Sequence, residues 1–126
     1  MVVVDTSIII DHIRQKNSNT LFKQLFKKYS SDEIAISIIT VQELYGGEST
    51  RKREVEQALL AIISLLRILP YNYEVSKLAG EIDRDIGRPM DFADAAIAAT
   101  AIINGAQLVT LNKKDFSEVK DLDVIK

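Results

Sequence analysis

Short runs of β-branched and aliphatic residues alternate along this chain with stretches of helical periodicity, and that alternation restricts the fold more than any other feature. Val2-Val3-Val4 reads as a strand fit for the middle of a sheet. Ile34 to Ile39 form a second run, and Arg67 to Tyr71 a third whose pairing Pro70 limits. Leu108 to Leu111 form a fourth, and Val124-Ile125 is a candidate for an added edge strand. Between the runs, apolar residues recur at helical spacing. One set is Leu21, Phe22, Leu25, Phe26 and Tyr29; another is Val55, Ala58, Leu59, Ile62, Ile63 and Leu66; a third is Val75, Leu78, Ala79, Ile82 and Ile86. A first helix carries Ile8, Ile9, Ile10 and Ile13, with Ser7 as a candidate cap, and the polar Asn17-Ser18-Asn19 links it to the next. Strands that alternate with helices imply an α/β fold: a three-layer α/β/α domain with a mainly parallel central sheet.

Asp91-Phe92-Ala93-Asp94 opens a helix that runs to Asn104-Gly105 and is apolar nearly all round, so it should be buried, with its alanines allowing close approach to the sheet. The uncharged stretch from Ala95 to Asn112 resembles a membrane span in hydropathy alone. Asn104-Gly105 and Gln107 interrupt it, so a short buried helix plus a strand is expected, with no membrane association. The length of 126 residues suits one domain, residues 1–126. With no cysteine, disulfides and thiolate chemistry are excluded, and a single His12 argues against a zinc hydrolase or a Ser-His-Asp triad. The opening residues lead directly into a strand, so no signal peptide is expected and the expected location is cytoplasmic. A net charge of −2 carries no global nucleic-acid signal. Contacts to RNA or DNA would need local patches such as Lys27-Lys28, Arg51-Lys52-Arg53 or Lys113-Lys114, each of which is more often a solvated face.

Four carboxylates follow the strand-like runs: Asp5, Glu43, Asp94 and Asp115. In an open α/β sheet, ligands bind at the crevice outside the carboxyl ends of the strands, so these acids can meet at one edge. Together they would repel one another unless a divalent, oxygen-seeking cation such as Mg²⁺ or Mn²⁺ sat among them. Each also has a local explanation. Asp5 can be a helix N-cap. Thr40-Val41-Gln42-Glu43 has the form of a capping box opening a helix that Gly46-Gly47 closes. Asp115 can be a turn residue. Asp94 is harder to explain locally, because it stands among alanines, isoleucines and phenylalanine where an unpaired carboxylate is costly. Asp91 shares its face, as the N-cap or as a rival ligand. Thr6, Thr40 and Thr110 could orient the acids or satisfy local backbone groups; Asn112 and Asp91 are further candidates for such support.

In these blocks the chain resembles the PIN-domain ribonucleases, and most of all the VapC-type toxins of prokaryotic toxin–antitoxin pairs. Val3-Val4-Asp5-Thr6-Ser7 resembles the family's opening strand and first acid, and Thr40-Val41-Gln42-Glu43-Leu44 its second acidic motif. Asp94-Ala95-Ala96-Ile97-Ala98-Ala99-Thr100-Ala101 resembles the third, and Leu108 through Asp115-Phe116 the fourth. The blocks occur in the family's order and span nearly the whole chain. The resemblance implies a Mg²⁺- or Mn²⁺-dependent endoribonuclease acting on RNA, inhibited by a small antitoxin protein, and often homodimeric. Asp5 and Asp94 would be the direct metal ligands, with Glu43 and Asp115 completing the site.

Two other readings stand beside this one. A phosphatase with Asp5 as nucleophile would resemble haloacid-dehalogenase-like enzymes, but these need a second Asp where Ser7 stands. A non-catalytic RNA- or protein-binding α/β module is the other, and a housekeeping RNA-processing nuclease is the alternative to a toxin within the same family.

Overall fold

The computed structural model describes residues 1–15 and 19–125. Four strands form one all-parallel sheet: β1 (Val2–Val4), β2 (Ile34–Ser37), β3 (Arg67–Leu69) and β4 (Gln107–Val109), in the order β3-β2-β1-β4. The helices are α1 (Thr6–Arg14), α2 (Leu21–Lys28), α3 (Ile38–Tyr45), α4 (Arg53–Ile63), α5 (Tyr73–Asp85), α6 (Phe92–Ile103) and the single turn α7 (Lys113–Phe116).

The two-residue period of the strands sorts side chains between two helical layers. Val2, Val4, Ile34 and Ile36 face Ile8, Phe22, Leu25 and Leu59 from α1, α2 and α4. Val3, Ala35 and Leu108 face Ile97, Ala98 and Ala101 of α6, with Phe116 closing the end. Residues Ala95 to Ala101 are all buried, and their small side chains let α6 lie directly on the sheet. Val3 and Ala35, on the two central strands, are fully buried. Burial of an aliphatic side chain such as Val3 contributes about 1.5–3 kcal/mol. Among the described residues no helix is long and apolar enough to cross a membrane.

Several expected boundaries move, each for a local reason. The second strand stops at Ser37, not Ile39: the Ser37 hydroxyl accepts from the Ile39 N–H at 3.0 Å and caps α3. The helix therefore starts before Thr40, and the capping box expected at Thr40–Glu43 does not form. The third strand ends at Leu69, where Pro70 has no N–H to continue the ladder. The fourth runs from Gln107 to Val109, which frees Thr110 and Leu111 from the sheet. Val124 makes one isolated parallel bridge to Leu108 and no full strand. Of the expected polar linker, Asn17 and Ser18 lie outside the described residues. Gly87 and Gly105 have φ of 77° and 62°, left-handed turns after α5 and α6 that glycine adopts without strain.

Candidate active site

β1 ends at the C-terminal edge of the sheet, and the next residue is Asp5. Its backbone N–H donates to the Val109 carbonyl at 2.9 Å, which ties it to the end of β4. Asp5 occupies the N-cap position of α1, but its side chain caps nothing. Its Oδ2 instead accepts from the Thr110 hydroxyl and from the Ser7 hydroxyl, each at 2.7 Å. Ser7 is therefore a partner of the acid and not the helix cap that the sequence suggested. The Leu111 N–H donates to Ser7 Oγ at 3.2 Å, and the Asn112 N–H donates to Thr110 Oγ1 at 2.9 Å. Asn112 thus supports the site through its backbone; its side chain makes no capping bond. Asp5 is buried, with 4% of its surface exposed, so these two hydroxyls fix its orientation.

Glu43 comes from the middle of α3. Thr6 Oγ1 donates to its Oε1 at 2.6 Å and lies 3.1 Å from the hydroxyl of the buried Thr40. The capping explanation for Glu43 falls away, since Ser37 caps the helix. Glu43 is an exposed residue overall, yet its carboxyl end is tucked against the protein. Burial there raises its pKa, the Thr6 hydrogen bond opposes the rise, and Asp5 and Asp91 add to it.

Asp94 lies in the first turn of α6, after Asp91. Asp91 is the N-cap: its Oδ1 accepts from the N–H of Ala93 at 2.9 Å and of Asp94 at 3.4 Å. That division of labour leaves the Asp94 carboxyl free of any capping duty. It is half-buried, and its pKa is pushed up to about 7, first by burial and then by repulsion from Asp5, Asp91, Asp115 and Glu43. The fold thus draws five carboxylates into one negative field, although they come from separate segments. Asp115 joins it from the exposed turn α7, where the Arg88 guanidinium donates to its backbone carbonyl at 2.9 Å. Among the described residues, the ion pairs found engage none of these five acids.

No three of these acids close on one point in a way that could enclose an ion among the described residues. The donor set still suits a hard cation: Mg²⁺ keeps several waters and takes only one or two protein carboxylates along with substrate phosphate. A half-buried acid whose pKa is raised to about 7 by burial and then by neighbouring acids is a place where added positive charge is favoured. His12 does not take part. Its Nδ1 is 2.6 Å from the Thr20 hydroxyl and its ring stacks 4.8 Å from Phe22, joining α1 to α2. Ser7 is the residue whose role at the site the sequence left unread; its spacing two residues after Asp5 is a weak signal, common to local Asx and Ser turns.

A short parallel sheet under helices, with acids gathered at its carboxyl edge, defines an α/β domain whose ligand site lies where such sheets place one. The PIN domain family model matches residues 2–122, and the chain belongs to that family. It is 34% identical over 123 residues to Ribonuclease VapC1 of Methanocaldococcus jannaschii, covering 95% of this chain and 82% of that protein. It is 32% identical over 130 residues to Ribonuclease VapC1 of Rickettsia felis, covering 98% of this chain and 93% of that one. Among solved structures it is similar to VapBC2 from Rickettsia felis bound to a DNA fragment from their promoter, with a TM-score of 0.86, 26% identity, and coverage of 98% and 96%.

Proposed function

We propose that residues 1–126 form one catalytic domain, a Mg²⁺- or Mn²⁺-dependent endoribonuclease that hydrolyses RNA phosphodiester bonds in the cytoplasm as the toxin of a toxin–antitoxin pair. The observation that carries this reading is Asp94, raised to about pH 7 by burial and four other carboxylates at the edge of a parallel sheet. The ribonuclease names of relatives that align along nearly the whole chain support it.

Asp5 and Asp94 would hold the ion, and Glu43 and Asp115 would complete its surroundings through water or through a second ion. A divalent cation supplies a more acidic water as nucleophile and offsets charge on the phosphate and leaving oxygen. The chain supplies position. Both hydroxyl bonds to Asp5 fall on Oδ2 and hold the carboxylate in one orientation. Thr6 sets the rotamer of Glu43. Asp91 accepts from the N–H groups of Ala93 and Asp94, which leaves the Asp94 carboxyl without a capping role. With His12 engaged at Thr20, proton removal from water falls to a carboxylate of the site.

An antitoxin would place an Arg or Lys among the carboxylates, with charge-assisted bonds in place of the ion. A cavity of about 110 Å³ runs beside Glu43 between α1, the Gly47 turn and α4. It is lined by Ile10, Ile13, Leu44, Val55 and Leu59, and so suits an apolar antitoxin segment. A homodimer is the expected assembly. The test is cleavage of a generic RNA by purified protein with Mg²⁺ and with EDTA, followed by Asp94→Asn. Cleavage that survives EDTA sinks the metal dependence, and none with Mg²⁺ sinks the enzyme. Co-expression with the adjacent small open reading frame, read by pull-down and growth, separates a toxin from a housekeeping nuclease, which would neither slow growth nor retain a partner.

A further inference from the structure

The proposed reaction poses an electrostatic problem. RNA is a polyanion, the chain carries a net charge of −2, and the site itself is a cluster of acids. Productive approach needs cations near the acids but not among them. Two basic pairs that are far apart in sequence, Lys27-Lys28 at the end of α2 and Lys113-Lys114 in α7, each look like ordinary solvated surface when read alone. The fold brings one lysine from each pair to the same place. Lys28 and Lys113 both line a cavity of about 240 Å³ whose wall includes Thr110. Thr110 is the residue that donates to Asp5 at 2.7 Å, so the cavity borders the acidic site through a shared side chain. Its floor is apolar, with Leu25 and Val109, and Tyr29 stands at its side with the Lys28 ammonium 5.5 Å from the ring centroid.

We propose that this cleft is the subsite for the nucleotide next to the scissile phosphate of a single-stranded RNA. Lys28 and Lys113 take its flanking phosphates, and the base lies on the Leu25–Val109 floor against Tyr29. The assignment rests on the nuclease reading above and specifies where its substrate runs. Single-strand recognition combines cationic tracks along the backbone with apolar or aromatic surface for the bases, and both are present here within one cavity. The occupant follows from charge complementarity and from continuity with the site at Thr110. The cleft on the other flank, beside Glu43, contains one cation, Arg14, and a mostly apolar lining, which suits a protein segment better than a phosphate chain.

The experiment uses a short fluorescein-labelled single-stranded RNA as the probe and Lys28→Gln, Lys113→Gln and their double variant as the changes. Both lysines are exposed, so the fold should tolerate them, and Lys27→Gln, exposed but outside the cleft, is the control. RNA affinity is measured by anisotropy at several salt concentrations in the Asp94→Asn background, which prevents cleavage. Removing one lysine–phosphate interaction should lower the slope of log affinity against log salt by about 0.7, equivalent to about fivefold weaker binding at about 0.1 M salt. In cleavage by the otherwise intact protein, the same substitutions should raise KM with kcat nearly unchanged, the signature of weakened uniform binding. RNA cleaved by the parent chain with KM and salt slope unmoved in the double variant overturns the subsite and leaves the nuclease standing. No RNA binding or cleavage by the parent chain overturns both. A double variant that no longer binds its antitoxin but keeps its RNA affinity assigns the cleft to a protein and also overturns the proposal.

Discussion

The two halves of the acidic site are held in opposite ways. On the β1 side, the acids are clothed in hydroxyls: Asp5 accepts from Ser7 and Thr110, and Glu43 accepts from Thr6. On the α6 side, Asp94 is not tied to any such hydroxyl among the described residues and is governed by burial and by the charges around it. The difference teaches how one site can be both precise and responsive. Fixed hydroxyl partners set geometry before a ligand arrives, as buried groups around metal ligands commonly do. An acid governed by burial and repulsion is poised to change state when positive charge enters.

Removing either half's principal acid should have the largest effect. Asp5→Asn and Asp94→Asn should each lower RNA cleavage on the order of a hundred- to a thousandfold, since several kcal/mol of charge stabilisation is at stake. The halves should then part in their melting behaviour. Without metal at pH 8, Asp94→Asn should raise the melting temperature by relieving repulsion, whereas Asp5→Asn disturbs two hydroxyl bonds and should not. Full activity in Asp94→Asn would mean the bare half has no part in the reaction.

Next in size is loss of a hydroxyl. Thr110→Val should cost about 10–100-fold in metal affinity or activity, because Asp5 loses one of its two partners. Ser7→Ala should cost less, since Thr110 remains. A Thr110→Val protein with unchanged metal affinity would show that the clothing of Asp5 is only local packing.

The pH response isolates the bare half. The Asp94 pKa is raised from an ordinary 3.8 to about 7 in the folded chain. The folded state therefore binds its proton more tightly than the unfolded state. Stability from this group is fully present below about pH 4 and is lost as pH rises through about 7; Glu43 acts in the same direction. His12, whose pKa is lowered mainly by burial, works in the opposite sense and loses stability as pH falls. Melting from pH 4 to 8 without metal, for the parent chain and Asp94→Asn, should differ by that Asp94 slope. Mg²⁺ should raise the melting temperature more at pH 8 than at pH 5, because the ion competes with the proton. Equal slopes in both proteins would remove the electrostatic account of Asp94.

The smallest expected effect is on stability in Glu43→Gln, within about 0.5 kcal/mol, because glutamine still accepts from Thr6 and the helix is capped elsewhere. Ser37→Ala should cost about 1 kcal/mol by comparison. A large melting loss in Glu43→Gln with little change in cleavage would return Glu43 to a structural role.

Much of the fold was legible because its signals are local. Val2–Val4, the alternation of Ile34 and Ile36 with Ala35, and the buried alanines of α6 state their period within a few residues, and hydrophobic burial enforces it. Asp5, Glu43 and Asp115 were legible as positions after strands, Asp94 as an acid at the head of an apolar helix, and Asp91 as the N-cap beside it. The chemistry of hydroxyls was not. A serine or threonine near a strand end fits a cap, a turn or a side-chain partner equally well until its neighbours are known. Ser37 took the cap that Thr40 seemed to offer, and Ser7 went to Asp5 and not to its helix. The same limit applies to charge. Asp94 stands among apolar neighbours in the sequence itself, but distant segments had to converge before its proton was held to about pH 7. Lys28 of α2 and Lys113 of α7 line one cleft only once the chain has folded. Periodicity is a property of neighbours along the chain and is fixed by the sequence. Hydrogen bonds and electrostatic fields depend on distances in space, and for residues this far apart only the tertiary structure sets those distances.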